Sequence, residues 1–138
     1  MPELPEVEIV CRGLNDAFVG HRLTKVIRRF DQLRWPIPDD LETTILGASP
    51  SGDAGVLRSV QRRSKYLLLG FDTGTLLIHL GMSGTLLRMP LGEATRAHDH
   101  IDFVFGEQVL RFNDPRRFGA VLWHGGDEAV AGSHVLLQ

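Results

Sequence analysis

The sequence predicts a mainly β protein, a two-sheet antiparallel sandwich carrying one long N-terminal α-helix. Two observations carry that expectation. Between Pro5 and Val19 the apolar residues Val7, Val10, Cys11, Leu14 and Phe18 recur at three- and four-residue spacing, while Glu8, Arg12, Asn15 and Asp16 occupy much of the opposite side. After Gly20 the chain becomes a series of strand-length apolar runs. Asp72-Thr73-Gly74 and Gly106-Glu107 separate adjacent runs so tightly that antiparallel hairpins are favoured over strand-helix-strand crossovers.

Each element has a local reason. Pro5 suits the first helical turn, where its missing N–H costs no intrahelical bond, and Gly20 suits the position just beyond the helix end. Leu23 to Phe30 and Val56 to Arg63 read as strands, with a short helix at Asp39 to Leu46 between them. Ala48 to Gly55 is loop material rather than a domain linker, because regular patterning resumes at once. The later strands are Tyr66 to Phe71, Thr75 to Leu80, Thr85 to Met89, Ile101 to Phe105, Gln108 to Phe112 and Ala120 to Trp123.

A chain of 138 residues fits one domain. It has no apolar run near the roughly 20 residues that span a bilayer, and Glu3, Glu6 and Glu8 make its start unlike a secretory signal, so the expected location is the cytoplasm. The single cysteine, Cys11, excludes an internal disulfide and a cysteine-rich zinc site; its place in the helix pattern predicts burial. The net charge of -2 gives no whole-chain argument for a polyanionic partner, but the cations are clustered. Arg22, Lys25, Arg28, Arg29 and Arg34 form one group, Arg58, Arg62, Arg63 and Lys65 a second, and Arg116 with Arg117 a third. A groove built from them would bind phosphates; each group alone is equally a solvated surface. His79, His98, Asp99 and His100 do not form a complete metal shell. His98 and His100 share a strand face if the strand extends that far, and a structural role is the simpler reading. There is no glycine-rich phosphate loop followed by lysine and no nucleotide-cofactor motif.

Four segments carry possible chemistry. If Met1 is removed, Pro2 presents a secondary amine with an ordinary pKa near 8, able to attack an electrophilic carbon and form an iminium, with Glu3 and Glu6 close behind it as proton carriers. The same residues also serve simply to start a helix, Glu6 by complementing its dipole. Met82 lies between Gly81 and Gly84, and Arg116 and Phe118 lie between Pro115 and Gly119, so tight backbone paths could hold the three as a projecting set. Met82 and Phe118 would be apolar wedges and Arg116 a donor to an unpaired base edge. A lone methionine or phenylalanine is more often core, and Asp114 with Arg117 can simply brace a turn. Lys65, beside Tyr66-Leu67-Leu68-Leu69, would project one charge from a rigid strand or lie idle at the surface.

The sequence resembles the N-terminal catalytic domain of the bacterial formamidopyrimidine-DNA glycosylase (Fpg, or MutM) family. The resemblance rests on Pro2-Glu3-Leu4-Pro5-Glu6-Val7-Glu8, Leu33-Arg34-Trp35-Pro36, Gln61 to Leu69, His79-Leu80-Gly81-Met82-Ser83-Gly84, His98-Asp99-His100 and Asp114-Pro115-Arg116-Arg117-Phe118-Gly119, in family order and over nearly the whole chain. The related endonuclease VIII group shares the N-terminal proline, but Met82 and Arg116-Arg117-Phe118 look much more like Fpg.

The resemblance implies a base-excision repair enzyme, glycosylase and abasic-site lyase, acting as a monomer on damaged double-stranded DNA. Its substrates would be oxidised purines such as 8-oxoguanine and ring-opened formamidopyrimidines. Pro2 would attack C1′ of the flipped nucleotide, Glu3 would move protons at the deoxyribose, Glu6 would organise the site, and Lys65 would contact phosphate and the lesion region. Met82, Arg116 and Phe118 would fill the gap left by the flipped base, and His98 would join the DNA contacts. No metal or redox cofactor is implied within these residues. Family members continue into a helix-two-turn-helix domain and a four-cysteine zinc finger that are absent from these 138 residues, so zinc is expected only there and the isolated chain is expected to be weak or inactive. The spacing from Leu33-Arg34-Trp35-Pro36 to Gln61-Arg62-Arg63 looks longer than usual, the excess falling around Ala48 to Gly55. The alternatives are a remnant with only DNA-binding or structural capacity, and specificity for oxidised pyrimidines as in endonuclease VIII.

Overall fold

Nine of the chain's apolar runs resolve into the helix and strands that the sequence predicts, arranged as two facing antiparallel sheets. The computed structural model describes residues 4–30, 32–47 and 54–125. Its elements are α1 (Leu4–Phe18), β1 (Lys25–Arg28), α2 (Leu41–Ile45), β2 (Ser59–Arg63), β3 (Tyr66–Phe71), β4 (Gly74–His79), β5 (Thr85–Pro90), β6 (Asp99–Phe105), β7 (Gln108–Asn113) and β8 (Ala120–His124). One sheet has the order β1-β6-β7-β5 and the other β2-β3-β4-β8. The β3–β4 and β6–β7 pairs are the hairpins expected from Asp72-Thr73-Gly74 and Gly106-Glu107.

Two strands are shorter than expected, β6 starts two residues early at Asp99, and the remaining strand ends move by one residue at most. β1 occupies only the middle of Leu23 to Phe30, and β2 begins at Ser59, while Val56 instead makes an isolated bridge to Arg22. In both segments the backbone bonds go elsewhere: Leu23 N–H donates to Gly55 and Leu57 N–H to His21. The six residues 48–53 of the Ala48 to Gly55 segment lie outside the described residues.

Helix α1 buries Val7, Cys11, Leu14 and Phe18, the stripe its periodicity marks, against the core formed between the sheets. Phe18 meets Phe105 of β6 at a ring-centroid distance of 5.0 Å. Each fully buried side chain of this size contributes about 1.5–3 kcal/mol. The helix also has a fixed direction against β2. Asn15 donates to the Val60 carbonyl at 2.8 Å, and Glu8 pairs with Arg62 at 3.0 Å. Moving back along α1 therefore means moving forward along β2, so the helix start is directed toward the Ser64–Lys65 turn. Among the described residues no helix is long and apolar enough to cross a membrane.

The sheet containing β6 and β7 also encloses an ion pair. Arg111 faces Asp102 across the ladder and donates to it through Nε at 2.8 Å and Nη2 at 3.1 Å. Both side chains are buried, and Arg29 donates to the same carboxylate at 2.8 Å. Burial pushes the Asp102 pKa up, but the bonds from Arg29 and Arg111 outweigh it and hold the group below its ordinary 3.8. Remaining Arg111 donors reach the carbonyls of Ala94 and Glu93, which ties down the segment leading into β6.

A depressed carboxylate pKa stabilises the fold above the unfolded value and loses that contribution as pH falls through the folded value. Asp102→Asn, which leaves buried Arg111 only the longer 3.6 Å pairing with Asp99, should cost about 3 kcal/mol at pH 7. Urea unfolding measured from pH 7 downward should show the two proteins converging below about pH 4.

Candidate functional site

Two loops meet at one end of the sandwich. The first, residues 80–84, joins β4 to β5; the second, residues 114–119, joins β7 to β8. Their contact requires glycine on both sides. Gly81 has φ +62, and a Cβ there would lie 2.6 Å from the Gly119 nitrogen. A Cβ on Gly119 would lie 2.6 Å from the His79 carbonyl oxygen. The loops are thus in backbone contact, which no side chain larger than hydrogen permits.

Asp114 is fully buried and bonds the two loops together. Its Oδ1 accepts from the Ser83 hydroxyl at 2.7 Å, and its Oδ2 accepts from Gly119 N–H at 2.8 Å. Ser83 Oγ in turn accepts from Arg116 N–H at 3.1 Å. The Asp114 carbonyl accepts from Arg117 N–H at 3.2 Å, closing the turn in which Arg117 takes φ +56. Bracing by Asp114 and Arg117 and projection of the neighbouring side chains therefore occur together.

The braced loops project Met82, Arg116 and Phe118. Met82 is 46% exposed and Phe118 50% exposed, so neither belongs to the core. Arg116 Nη1 lies 3.9 Å from the Met82 sulfur, which places side chains from the two loops side by side. Behind them is an open groove of about 560 Å³ lined by Leu33, Arg34, His79, Gly81, Met82, Arg117 and Phe118. Arg34 reaches it because its N–H donates to the Gly119 carbonyl at 3.0 Å, and its guanidinium lies over Trp35 at 4.6 Å.

His79 closes the groove from β4. Gly81 N–H donates to its Nδ1 at 2.9 Å, so the ring's own proton belongs on Nε2. Burial lowers its pKa, with Arg34 and Lys65 adding to the effect. Lys65 therefore stands in the electrostatic reach of the groove, at the tight β2–β3 turn where Ser64 takes φ +53. The Tyr66 ring, opposite His79 in the ladder, meets it at 4.7 Å. Glu6 lies in the first turn of α1, at the helix end directed toward Lys65. Its neighbour Glu8 has a lowered pKa, chiefly through its bond from Arg62. Pro2 and Glu3 lie outside the described residues.

The strand does not extend far enough to carry both histidines, although their rings stay close, with centroids 6.3 Å apart. β6 begins at Asp99, leaving His98 exposed in a turn with φ +69, and the register shifts between Asp99 and Ile101. Asp99 is drawn away by its bonds from Arg96 N–H at 2.6 Å and Asn113 at 2.8 Å. Buried His100 points instead toward the Asp114 carbonyl, 2.6 Å from its Nε2. Among the described residues no group of three or more His, Cys, Asp or Glu could hold a metal ion. Cys11 is buried, as its helical position predicts, with its thiol 3.6 Å from the Val60 carbonyl.

Several contacts of the site carry no signal in the sequence alone. Ser83 and Asp114 are 31 positions apart, and Arg34 meets Gly119 only in the fold. Of the basic clusters, Arg22, Arg28, Arg29, Arg58 and Arg62 bond to carbonyls or carboxylates of the domain itself. Arg34 and Arg117 line the groove, with Arg116 at its Met82 rim.

Fold and site together define a helix-fronted β-sandwich domain whose glycine-braced double loop borders a basic groove. The chain belongs to the formamidopyrimidine-DNA glycosylase family: the model of that family's N-terminal domain matches residues 1–121. The formamidopyrimidine-DNA glycosylase of Herminiimonas arsenicoxydans is 49% identical over 138 residues, 100% of this chain and 48% of that protein. That of Aromatoleum aromaticum is 50% identical over 137 residues, 99% of this chain and 47% of its own length. The chain thus spans about half the length of the curated relatives it matches. Among solved structures, MutM in complex with DNA containing carbocyclic 8-oxo-G matches with a TM-score of 0.80 and 26% identity, over 94% of this chain and 47% of that one. Lactococcus lactis Fpg in complex with DNA containing N7-benzyl-Fapy-dG matches with a TM-score of 0.77 and 26% identity, over 94% and 46%.

Gly81→Ala should separate the loop contact from ordinary backbone cost. Gly106 also has positive φ, +71, but nothing lies within 4 Å of a Cβ there. Urea unfolding should show Gly106→Ala losing about 1–2 kcal/mol and Gly81→Ala clearly more, about 3 kcal/mol or above, because overpacking adds to the same backbone term.

Proposed function

We propose that the protein bearing this chain is a base-excision repair enzyme that removes oxidised and ring-opened purines from duplex DNA and then cleaves the strand. The observation that carries this reading is the projection of Met82, Arg116 and Phe118 from two loops locked in backbone contact beside the groove. Extruding a base costs a few kcal/mol of stacking and pairing. Two apolar side chains and a guanidinium, held rigid before DNA arrives, would offset that loss without being ordered at the moment of binding. The family, and the damaged-purine DNA held by its solved relatives, support the purine class.

In this reading the Pro2 nitrogen attacks C1′, the bond from C1′ to the damaged base breaks, and the base leaves with a proton delivered at the site. The Pro2 nitrogen gives up its proton, the C1′–O4′ bond breaks as the ring oxygen takes a proton, and the opened sugar is then joined to the enzyme as an iminium. That cation acidifies the neighbouring sugar carbon, so β- and then δ-elimination release the phosphates on its two sides. Glu3 is assigned the proton transfers at the deoxyribose and Glu6 the organisation of the site. Lys65 is assigned phosphate and lesion contact, supported by its nearness to His79 at the groove. His98, exposed on its turn, is assigned to the DNA backbone. The protein would act as a monomer on chromosomal DNA in the cytoplasm, and no step involves a metal.

Borohydride treatment of the whole protein, freed of Met1, with a duplex containing 8-oxoguanine opposite cytosine should yield a covalent adduct that peptide mass analysis locates at Pro2. Absence of any reducible adduct would sink the mechanism. Binding to the same duplex should weaken as salt rises, and Lys65→Ala should reduce the slope of log affinity against log salt by about one phosphate contact. An unchanged slope would remove Lys65 from the phosphate-binding set.

A further inference from the structure

Beneath the Arg116–Phe118 loop lies a histidine for which the chemistry above has no use. His100 is fully buried on β6, and its Nε2 lies 2.6 Å from the Asp114 carbonyl oxygen. A carbonyl can only accept, so Nε2–H donates and the ring proton is located there. Nδ1 is also buried and has no hydrogen-bond partner among the described residues. The ring's one described hydrogen bond is thus made to the peptide group that opens the projecting loop, the same carbonyl that accepts from Arg117 N–H.

The ring has a second connection to that loop. Phe30 stands edge-on to His100, with centroids 4.7 Å apart and an interplanar angle of 89°. The Arg117 guanidinium lies over the Phe30 ring, 5.0 Å from its centroid. Phe30 is 42% exposed, so core burial does not account for its place. It stands instead between a buried imidazole and a cation that lines the groove. His100 therefore reaches both ends of the turn, Asp114 directly and Arg117 through Phe30. It is fixed from below as well, because its own carbonyl accepts from Arg29 N–H at 2.8 Å.

We propose that His100, acting with Phe30, is a positioning residue for insertion of the Arg116–Phe118 loop into DNA. His100 locks the Asp114–Arg117 turn by its Nε2–H bond, and Phe30 holds the Arg117 side chain, so Arg116 and Phe118 meet the duplex in one preset geometry. Neither residue touches the reacting sugar. This role rests on the reading of the loop as a DNA-intruding element.

The test compares the whole wild-type protein with His100→Leu, His100→Gln and Phe30→Leu. Affinity is measured for a duplex carrying a tetrahydrofuran abasic analogue opposite cytosine and for the undamaged duplex. A 2-aminopurine beside the analogue reports loop insertion by its fluorescence. Loss of one hydrogen bond's worth of preorganisation should lower the damaged-to-undamaged preference roughly five- to tenfold in His100→Leu. Phe30→Leu should move it in the same direction with undamaged-duplex affinity within about twofold, because that substitution removes no phosphate contact. In His100→Leu any loss passed on through His98, whose ring stands 6.3 Å from that of His100, falls equally on both duplexes and leaves the damaged-to-undamaged ratio as the readout. The Gln amide can donate to the same carbonyl, so His100→Gln should recover most of the preference and the fluorescence change. A purely structural histidine would give no such split, since Leu and Gln would alter stability without separating damaged from undamaged DNA.

Wild-type preference and fluorescence retained in folded His100→Leu and in Phe30→Leu, or Gln falling with Leu, overturns the positioning role alone. If His100→Leu does not fold, exposed Phe30→Leu decides the matter by the same two readouts. A wild-type protein that shows no preference for the damaged duplex overturns this role together with the glycosylase reading.

Discussion

A buried carboxylate is costly unless its oxygens are bonded, and Asp114 meets that requirement with partners from two separate loops. Ser83 comes from the β4–β5 connection and Gly119 from the end of the β7–β8 connection, so satisfying one side chain fixes two chain segments relative to each other. Arg116 then hangs from the same network through Ser83. The sandwich supplies the two strand ends; the carboxylate turns them into one rigid edge. Met82, Arg116, Phe118 and the groove behind them all take their positions from this bond set.

The glycines make that bond set possible. Gly81 and Gly119 let the loops approach until backbone meets backbone, which brings the hydroxyl, the carboxylate and the amide within reach. Deeper in the sheet, Arg111 performs a related task for the other side of the site. It is held by Asp102 and holds the carbonyls of Glu93 and Ala94, while Asn113 holds Ala97. One strand, β7, thus anchors the approach to His98 and, at its end, the projecting loop. Rigid presentation matters because any freedom left in these loops would be lost on contact with a partner and subtracted from binding.

The fold was legible in the sequence to the extent that its signals were local. A 3.6-residue stripe marks α1, and short turns mark the β3–β4 and β6–β7 hairpins, within a residue or two of their observed ends. β1 and β2 came out shorter than their apolar patterns because long-range bonds, such as Leu23 to Gly55, took the backbone groups at their ends. The projecting residues were legible as motifs, but their exposure was not: glycine and proline marked tight paths without saying which way a side chain faces. Asp114, Ser83, Arg34 and His100 act through partners distant in sequence, so no spacing rule reaches them. His98 showed the same limit, since alternation would place it on the strand with His100 and a left-handed turn instead carries it off β6, although the two rings stay 6.3 Å apart.

The charge distribution follows the same logic. A domain of net charge -2 is a poor polyanion binder if its cations are spread evenly. They are not: Arg28 bonds the carbonyls before α2, Arg29 and Arg111 share Asp102, Arg58 pairs with Asp72, and Arg62 pairs with Glu8. Their donors are directed to the domain's own acceptors. At the groove the balance differs, for Arg34 and Arg117 line it, Arg116 stands at its edge, and Lys65 is near enough to act on His79. Arg34 and Arg117 lie against Trp35 and Phe30, whose ring faces stabilise a cation without neutralising its charge. Carboxylates and carbonyls take up those cations while aromatic rings support the cations here, so a slightly acidic domain presents a basic groove edge beside the exposed Met82 and Phe118.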